Sequence, residues 1–228
     1  MIFGILAAIL AVLIYLPSFW VRCVMGHYGD DHSEIPGTGG ELAQHLIDRF
    51  QLEGITVEET DPMRDHFDPS VPAVRLSPEN FHGKSLTAVA VATHEVGHAI
   101  QFHRKEAVFR LRSKYLPLAA GLNRSGIALM WTLPLIGFLL RAPFAIAMVV
   151  GLSLLLQLAG AMAYLIILPE EWDASFNKAL PILMEGEYVE KENIPAVKRI
   201  LKAAALTYFA AALANVLNIG RWLLLLRR

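Results

Sequence analysis

Within the run THEVGHAIQFH, Thr93 to His103, three residues have types and spacing that could do chemistry: His94, Glu95 and His98. Helical side chains four apart share a face, with Cβ atoms about 5–6 Å from one another. His94 and His98 could therefore both present an imidazole nitrogen to one ion, at the ~2.0–2.1 Å that zinc prefers. Glu95 is turned about 100° from His94, so it does not share the ion easily but can reach a water bound to it. Two ligands, an open position and a carboxylate to take the water's proton make the pattern of a zinc peptidase. The flanking AVAVAT and GHAI would keep such a site dry, and Gly97 leaves room for another backbone to approach. The competing explanation is chance, which produces HExxH in on the order of one chain of this length in a hundred. Its position on an expected helix favours the metal.

Two histidines and a water leave one protein ligand missing. The extended form HExxHxxGxxH fails, because Gln101 stands at its glycine, Arg104 at its third histidine, and His103 is one residue off. The alternative is an acid from LPEEWDAS, residues 168–175, with Glu170, Glu171 and Asp173 as candidates. Pro169 suits a first helical position, and a helix N-terminus favours carboxylates. Glu171 aligns with Leu168, Ala174 and Ser175, where a small side chain lets another helix come close. Glu170 aligns with Asp173 on a more polar edge that points to exposure, and only one glutamate should face the HExxH helix. Asp173 is shorter and better suited to orienting a ligand histidine. Tyr208, in AALTYFAAAL, could donate its hydroxyl to an oxyanion or sit in a membrane aromatic belt. His27, His32, His45 and His82 read as surface or interface residues, and His103 as a solvated helix end.

The elements that must position these residues follow from composition. The chain of 228 residues is 55% hydrophobic and 18% charged, with a mean hydropathy of +0.45. Soluble domains are nearer about 45–50% apolar and about 25% charged. The excess falls in four blocks, 2–21, 116–140, 142–168 and 203–226, each near the ~20 residues a membrane helix needs. The first lacks a basic start and a cleavage pattern, so it reads as a retained anchor. The second carries Asn123 and Arg124, and the fourth Asn215, Asn218 and Arg221. A net charge of −1 gives no electrostatic case for nucleic acid. With Cys23 alone, an intrachain disulfide and a thiolate zinc cluster are excluded.

Two polar regions remain, 22–115 and 169–202, and the first holds all eight histidines. ELAQHLIDRFQLEG has helical apolar spacing closed by Gly54. ITVEET and AVRLS read as two strands joined by the turn-rich DPMRDHFDPSVP. From Lys84 to about Arg110 one long helix is expected. The motif DHFDP could border a cleft and pair with an extended substrate, or simply be a turn structured by Asp and Pro.

DHFDPSVPAVRLS, VATHEVGHAIQ, LRSKYLP, LPEEWDAS and AALTYFAAAL together resemble the YugP-type membrane zinc metallopeptidases, in the same order over most of the chain. The Glu-x-x-Ala element is also similar to that of the HtpX-type and CAAX prenyl protease-type membrane peptidases. Those end it with Asp where this chain has Ser175, and Asp173 is the acid that could substitute. The resemblance also puts the third ligand at Glu171, counting back from Ala174 and Ser175. It implies a peptide or membrane-protein substrate.

The expected protein is thus a mainly α integral membrane protein with about four transmembrane helices and a small α+β zincin-like domain carrying a short hairpin. It forms a single membrane-embedded domain over 1–228 and binds one Zn2+ per chain on His94, His98 and Glu171. Glu95 serves as general base, with Tyr208 as a further catalytic candidate. Arg104, Lys105, Arg110, Arg112 and Lys114 precede the second span, and Lys198, Arg199 and Lys202 the fourth. The positive-inside tendency then puts both polar regions in the cytoplasm of a prokaryotic cell. Arg141, Arg227 and Arg228 would lie outside, the last two against the rule. The rival is a membrane scaffold or chaperone holding zinc without catalysis, for which Glu95 has no use. A transporter built on Asn123 and Arg124 is weakened by the lack of repeated hydropathy halves.

Overall fold

The computed structural model describes the backbone of residues 2–225 other than Ser33 and Arg141, with side chains over 12, 15–32, 34–136, 142–210 and 213. The expectations resting on Arg141, Arg227 and Arg228, and on the side chains of Asn215, Asn218 and Arg221, fall outside the described residues. The chain is mostly helical with one small mixed sheet, and it divides into two compact units.

One unit comprises residues 20–110 and 169–207. Its helices are the end of α1 (Ile2–His27), α2 (Gly39–Arg49), α3 (Pro78–His82), α4 (Leu86–His103), α8 (Leu180–Glu185) and the start of α9 (Ile194–Leu225). Around α4 lies the core: Leu46, Ile47, Phe67, Val74, Leu76, Ile100, Leu183, Ile200 and Leu201 are all buried. Every residue of α4 from Leu86 to Gln101 is buried, its polar His94, Glu95, His98 and Gln101 included. The Ser85 hydroxyl caps it, accepting from the Ala88 N–H at 3.0 Å.

The helix expected from Lys84 to Arg110 stops at His103. Lys105 takes a left-handed φ of 53°, the Lys105 N–H donates to Phe102 O, and the Glu106 N–H donates to Gln101 O. This is a Schellman stop made without the usual glycine, so composition did not advertise it. Likewise α2 opens with a capping box between Thr38 and Glu41 but ends at Arg49, with Gln51 left-handed, ahead of the expected Gly54.

The sheet holds a short hairpin, but not between ITVEET and AVRLS. Strand β1 (Thr56–Glu59) runs parallel to β3 (Ala73–Leu76), and a third strand, β2 (His66–Asp68), pairs antiparallel with β3 from the other side. Ala73, Val74 and Leu76 are buried, which gives β3 the centre. Phe67 is 2% exposed and opposite Val74, so its burial draws the DHFDP segment into the sheet.

A second correction concerns Pro169. No helix begins there; α7 runs Pro143–Trp172 with Pro169 inside it. Its locked φ is already helical, so the penalty is confined to the lost N–H and crowding of the preceding turn. A π-helix follows over Asp173–Ala179, in which the Leu180 N–H reaches back five residues to Ser175 O. Pro181, next in line, needs extra room against the preceding turn, and a wider turn provides it.

The other unit comprises residues 1–19, 111–168 and 208–228. It contains most of α1, nearly all of α5 (Phe109–Trp131), α6 (Leu133–Leu140), most of α7 and the end of α9. Residues 116–140 thus form two helices broken at Thr132, not one. Helices α5 and α7 approach closely: a Cβ on Gly126 would lie 2.8 Å from Ser153 O, and the Ser153 hydroxyl donates to Gly126 O. Small residues and interhelical hydroxyl bonds are how helices associate in lipid. Phe144, Met148, Leu152, Leu155 and Leu158 are exposed, and so is Arg124. Among the described residues, one continuous helical stretch, Pro143–Glu185, is long and apolar enough to cross a membrane.

Candidate metal centre

His94 and His98 lie one turn apart on α4, and Glu171 lies in the last turn of α7. Their atoms form a nearly equilateral triangle. His94 Nε2 and His98 Nε2 are 3.3 Å apart, His98 Nε2 and Glu171 Oε2 3.2 Å, and His94 Nε2 and Glu171 Oε2 3.4 Å. A tetrahedral ion with bonds of about 2.0–2.1 Å has neighbouring donors about 3.3–3.4 Å apart. The group could hold a metal ion, and its donor set and spacing suit zinc with a fourth position open. All three side chains are buried.

Each imidazole has its far nitrogen occupied. His94 Nδ1 lies 3.0 Å from the Ser175 hydroxyl, which itself donates to Leu201 O at 3.0 Å. With that hydroxyl proton committed, Ser175 accepts and His94 carries its proton on Nδ1. His98 Nδ1 is 2.9 Å from Gln101 Oε1. The Gln101 amide in turn donates to Asp173 Oδ2 at 2.8 Å and to Glu170 O at 3.0 Å. The amide's donors are thereby turned away, so His98 too is the Nδ1–H tautomer. Both Nε2 lone pairs then face the triangle, the arrangement metal-binding histidines need. Lys178 bonds both Asp173 and Glu106 and offsets part of their charge.

Sequence reasoning placed three of these residues differently. Glu170 is not exposed: it is fully buried, with Oε1 3.6 Å from His98 Nδ1. Both glutamates therefore meet the HExxH helix, and neither sits at a helix N-terminus. Asp173 bears on His98 through Gln101 rather than directly. Gln101 was passed over as a failed glycine position, although it is three residues from His98 and thus on the same face. Glu95 is buried on α4 beside His94. Tyr208 belongs to the other unit, where Arg112 Nη1 donates to its hydroxyl at 3.3 Å and the guanidinium lies over its ring. His27, His32, His45, His82 and His103 are exposed, His45 against the Tyr188 hydroxyl and His82 against Glu59.

Gly97 faces the π-helix. A Cβ there would meet Ala174 O at 2.8 Å, a backbone atom that cannot swing aside. Gly97→Ala should push apart the two elements that carry the histidines and Ser175, lowering zinc affinity by about 10–100-fold, as other disturbances just outside a metal's ligands do. Competition with a chromophoric chelator measures this; wild-type affinity would show that the approach is not needed.

The DHFDP acids organise their own turn. Asp65 accepts from the Ser77 N–H and hydroxyl, and Asp68 accepts from the Ser70 N–H at 2.8 Å and pairs with Arg75. The Ser70 N–H, then the Val71 N–H and Arg75, hold the Asp68 carboxyl below the usual carboxylate range against the opposing effect of burial. A depressed folded pKa contributes stability above the unfolded value of about 3.9 and loses it as pH falls through the folded value. Asp68→Asn should therefore lower stability at pH 7 by about 1 kcal/mol. The gap in melting temperature from wild type should narrow as pH falls toward 3.5. A gap constant with pH would contradict this.

A buried pair of histidines on one helix, closed by a glutamate from a later helix and accompanied by Glu95, marks out the zinc-metallopeptidase class. The chain belongs to the family described as "Putative neutral zinc metallopeptidase", which matches residues 3–227. It is 32% identical over 213 residues to "Putative membrane protease YugP" of Bacillus subtilis (strain 168), covering 91% of each chain. No solved structure matches it.

Proposed function

We propose that the chain is a zinc-dependent membrane peptidase with His94, His98 and Glu171 as metal ligands, one zinc per chain, and Glu95 as general base. The observation that carries the reading is the buried triangle of donors at tetrahedral spacing. A zinc ion there would supply Lewis acidity, polarising a carbonyl and acidifying water. Glu95 accepts the attacking water's proton and returns it to the leaving amine. Ser175 and Gln101 keep both imidazoles in the ligating tautomer, and the apolar α4 surroundings exclude bulk water. The Tyr208 hydroxyl accepts from Arg112 within the other unit and has no step in the proposed mechanism.

Helices α1, α5 with α6, α7 and α9 coincide with the four apolar blocks, and the proposal places all four segments in the bilayer. Both polar regions, and the active site with them, face the cytoplasm at the cell membrane. The proposed substrates are peptide bonds of membrane-associated or misfolded proteins; the name of the relative, a membrane protease, supports peptide-bond cleavage at a membrane and no particular substrate. Comparing new protein N-termini in membranes carrying the wild-type chain with those carrying Glu95→Gln tests this. Termini confined to the wild type support the proposal; identical sets refute it. Labelling a lone cysteine placed in residues 30–40 with an impermeant reagent on intact cells tests the orientation, and external labelling would reverse it.

A further inference from the structure

Apart from the metal centre, the end of α1 and the first turns of α9 enclose an open cavity of about 500 Å³. Trp20, Cys23, His27, Tyr28, Arg199 and Lys202 line it. Its α1 wall is fixed to the core, since the Thr87 hydroxyl donates to Met25 O at 2.9 Å and the Thr87 N–H to Tyr28 O at 3.1 Å. Arg199 and Lys202 are three residues apart and so share one face of α9. Arg199 Nη1 lies 3.4 Å from the Tyr28 hydroxyl, which directs the guanidinium across the cavity. Two cations and an imidazole stand there, and among the described residues no carboxylate lines the cavity. Of the acids in the following loop, Asp31 is engaged elsewhere, accepting from the Lys84 N–H at 2.8 Å.

We propose that this cavity binds the phosphate of an anionic membrane lipid headgroup. A guanidinium and an ammonium on one helix face are phosphate-binding chemistry. The apolar part of α1 leads away from Trp20, and an indole at such a boundary sits at headgroup level. Trp20 and Val24 supply an apolar flank beside the cations, which a glycerol backbone can cover and a free phosphate cannot. The cytoplasmic leaflet is the anionic one, in keeping with the cations' expected side. The inference rests on the membrane placement of α1, not on catalysis.

Cys23 is exposed, lines the cavity and is the chain's only cysteine, so its alkylation by N-ethylmaleimide reports occupancy. The full chain in detergent is treated with dihexanoylphosphatidylglycerol, dihexanoylphosphatidylcholine or inorganic phosphate. The anionic lipid should slow alkylation by at least about fivefold once it exceeds its Kd by about fourfold. The zwitterionic lipid, whose own ammonium shields the phosphate, and inorganic phosphate should each leave the rate nearly unchanged at that concentration. In the Arg199→Gln/Lys202→Gln variant, both positions being exposed, affinity for the anionic lipid should fall roughly 20–30-fold, with melting temperature retained. Equal protection by phosphatidylcholine overturns the role of charge. Equal protection by inorganic phosphate overturns the lipid as the source. Undiminished protection in the double variant overturns the site itself. Proteolysis enters none of these readouts, so a failure of the peptidase proposal is seen separately.

Discussion

Glu95→Gln is expected to abolish peptide hydrolysis, by roughly 10²–10⁴-fold or beyond detection, while the purified protein still carries about one zinc per chain. The amide keeps the size of the side chain and its place on α4 but cannot accept a proton. Glu95 is one residue from His94 and so about 100° around the helix, off the face that carries the ligand pair. Metal content should therefore survive the change. Full activity in metal-loaded Glu95→Gln protein would remove Glu95 from the mechanism. Loss of zinc together with activity would instead make it part of the metal's hold.

The second large effect distinguishes two adjacent glutamates that are both buried. Glu171 Oε2 lies 3.2 and 3.4 Å from the two Nε2 atoms, whereas Glu170 Oε1 is 3.6 Å from the outward-facing Nδ1 of His98. Glu171→Ala should remove one of three protein ligands and bring zinc content close to zero. Glu170→Ala leaves the donors in place and disturbs only what surrounds His98, a change expected to weaken zinc by about 10–100-fold. With both variants checked for folding, wild-type affinity in Glu171→Ala alongside its loss in Glu170→Ala would reverse the assignment.

How much of this could be read from the sequence depended on how local the geometry was. His94, Glu95 and His98 were legible because a helix fixes positions one and four apart whatever surrounds it. Glu171 was singled out partly on a helix N-terminus that does not exist, since α7 continues through Pro169. Glu170 was assigned to the surface because a polar edge was taken for an exposed one; its burial depends on α4 packing against the π-helix. The roles of Ser175 and Gln101 depend on the same π-helix, whose extra residue per turn no periodicity reading anticipates. Ser175 holds His94, and a neutral Gln101 stands between Asp173 and His98. Strand β2 escaped notice because three residues inside a turn-rich run carry almost no strand signal. Its pairing with β3, with Phe67 buried opposite Val74, makes it one. The stop at His103 was hidden because Lys105, not glycine, takes the left-handed position.

The central claim is that zinc on the His94, His98 and Glu171 group makes this chain a peptidase. The most direct measurement follows cleavage of an unfolded polypeptide by the detergent-purified chain while its zinc is removed and returned, with metal content determined at each step. The account predicts about one zinc per chain in the active protein, cleavage falling in proportion as a chelator takes zinc away, and recovery when zinc is restored to one equivalent. Cleavage that persists at wild-type rate in protein stripped of zinc would contradict it.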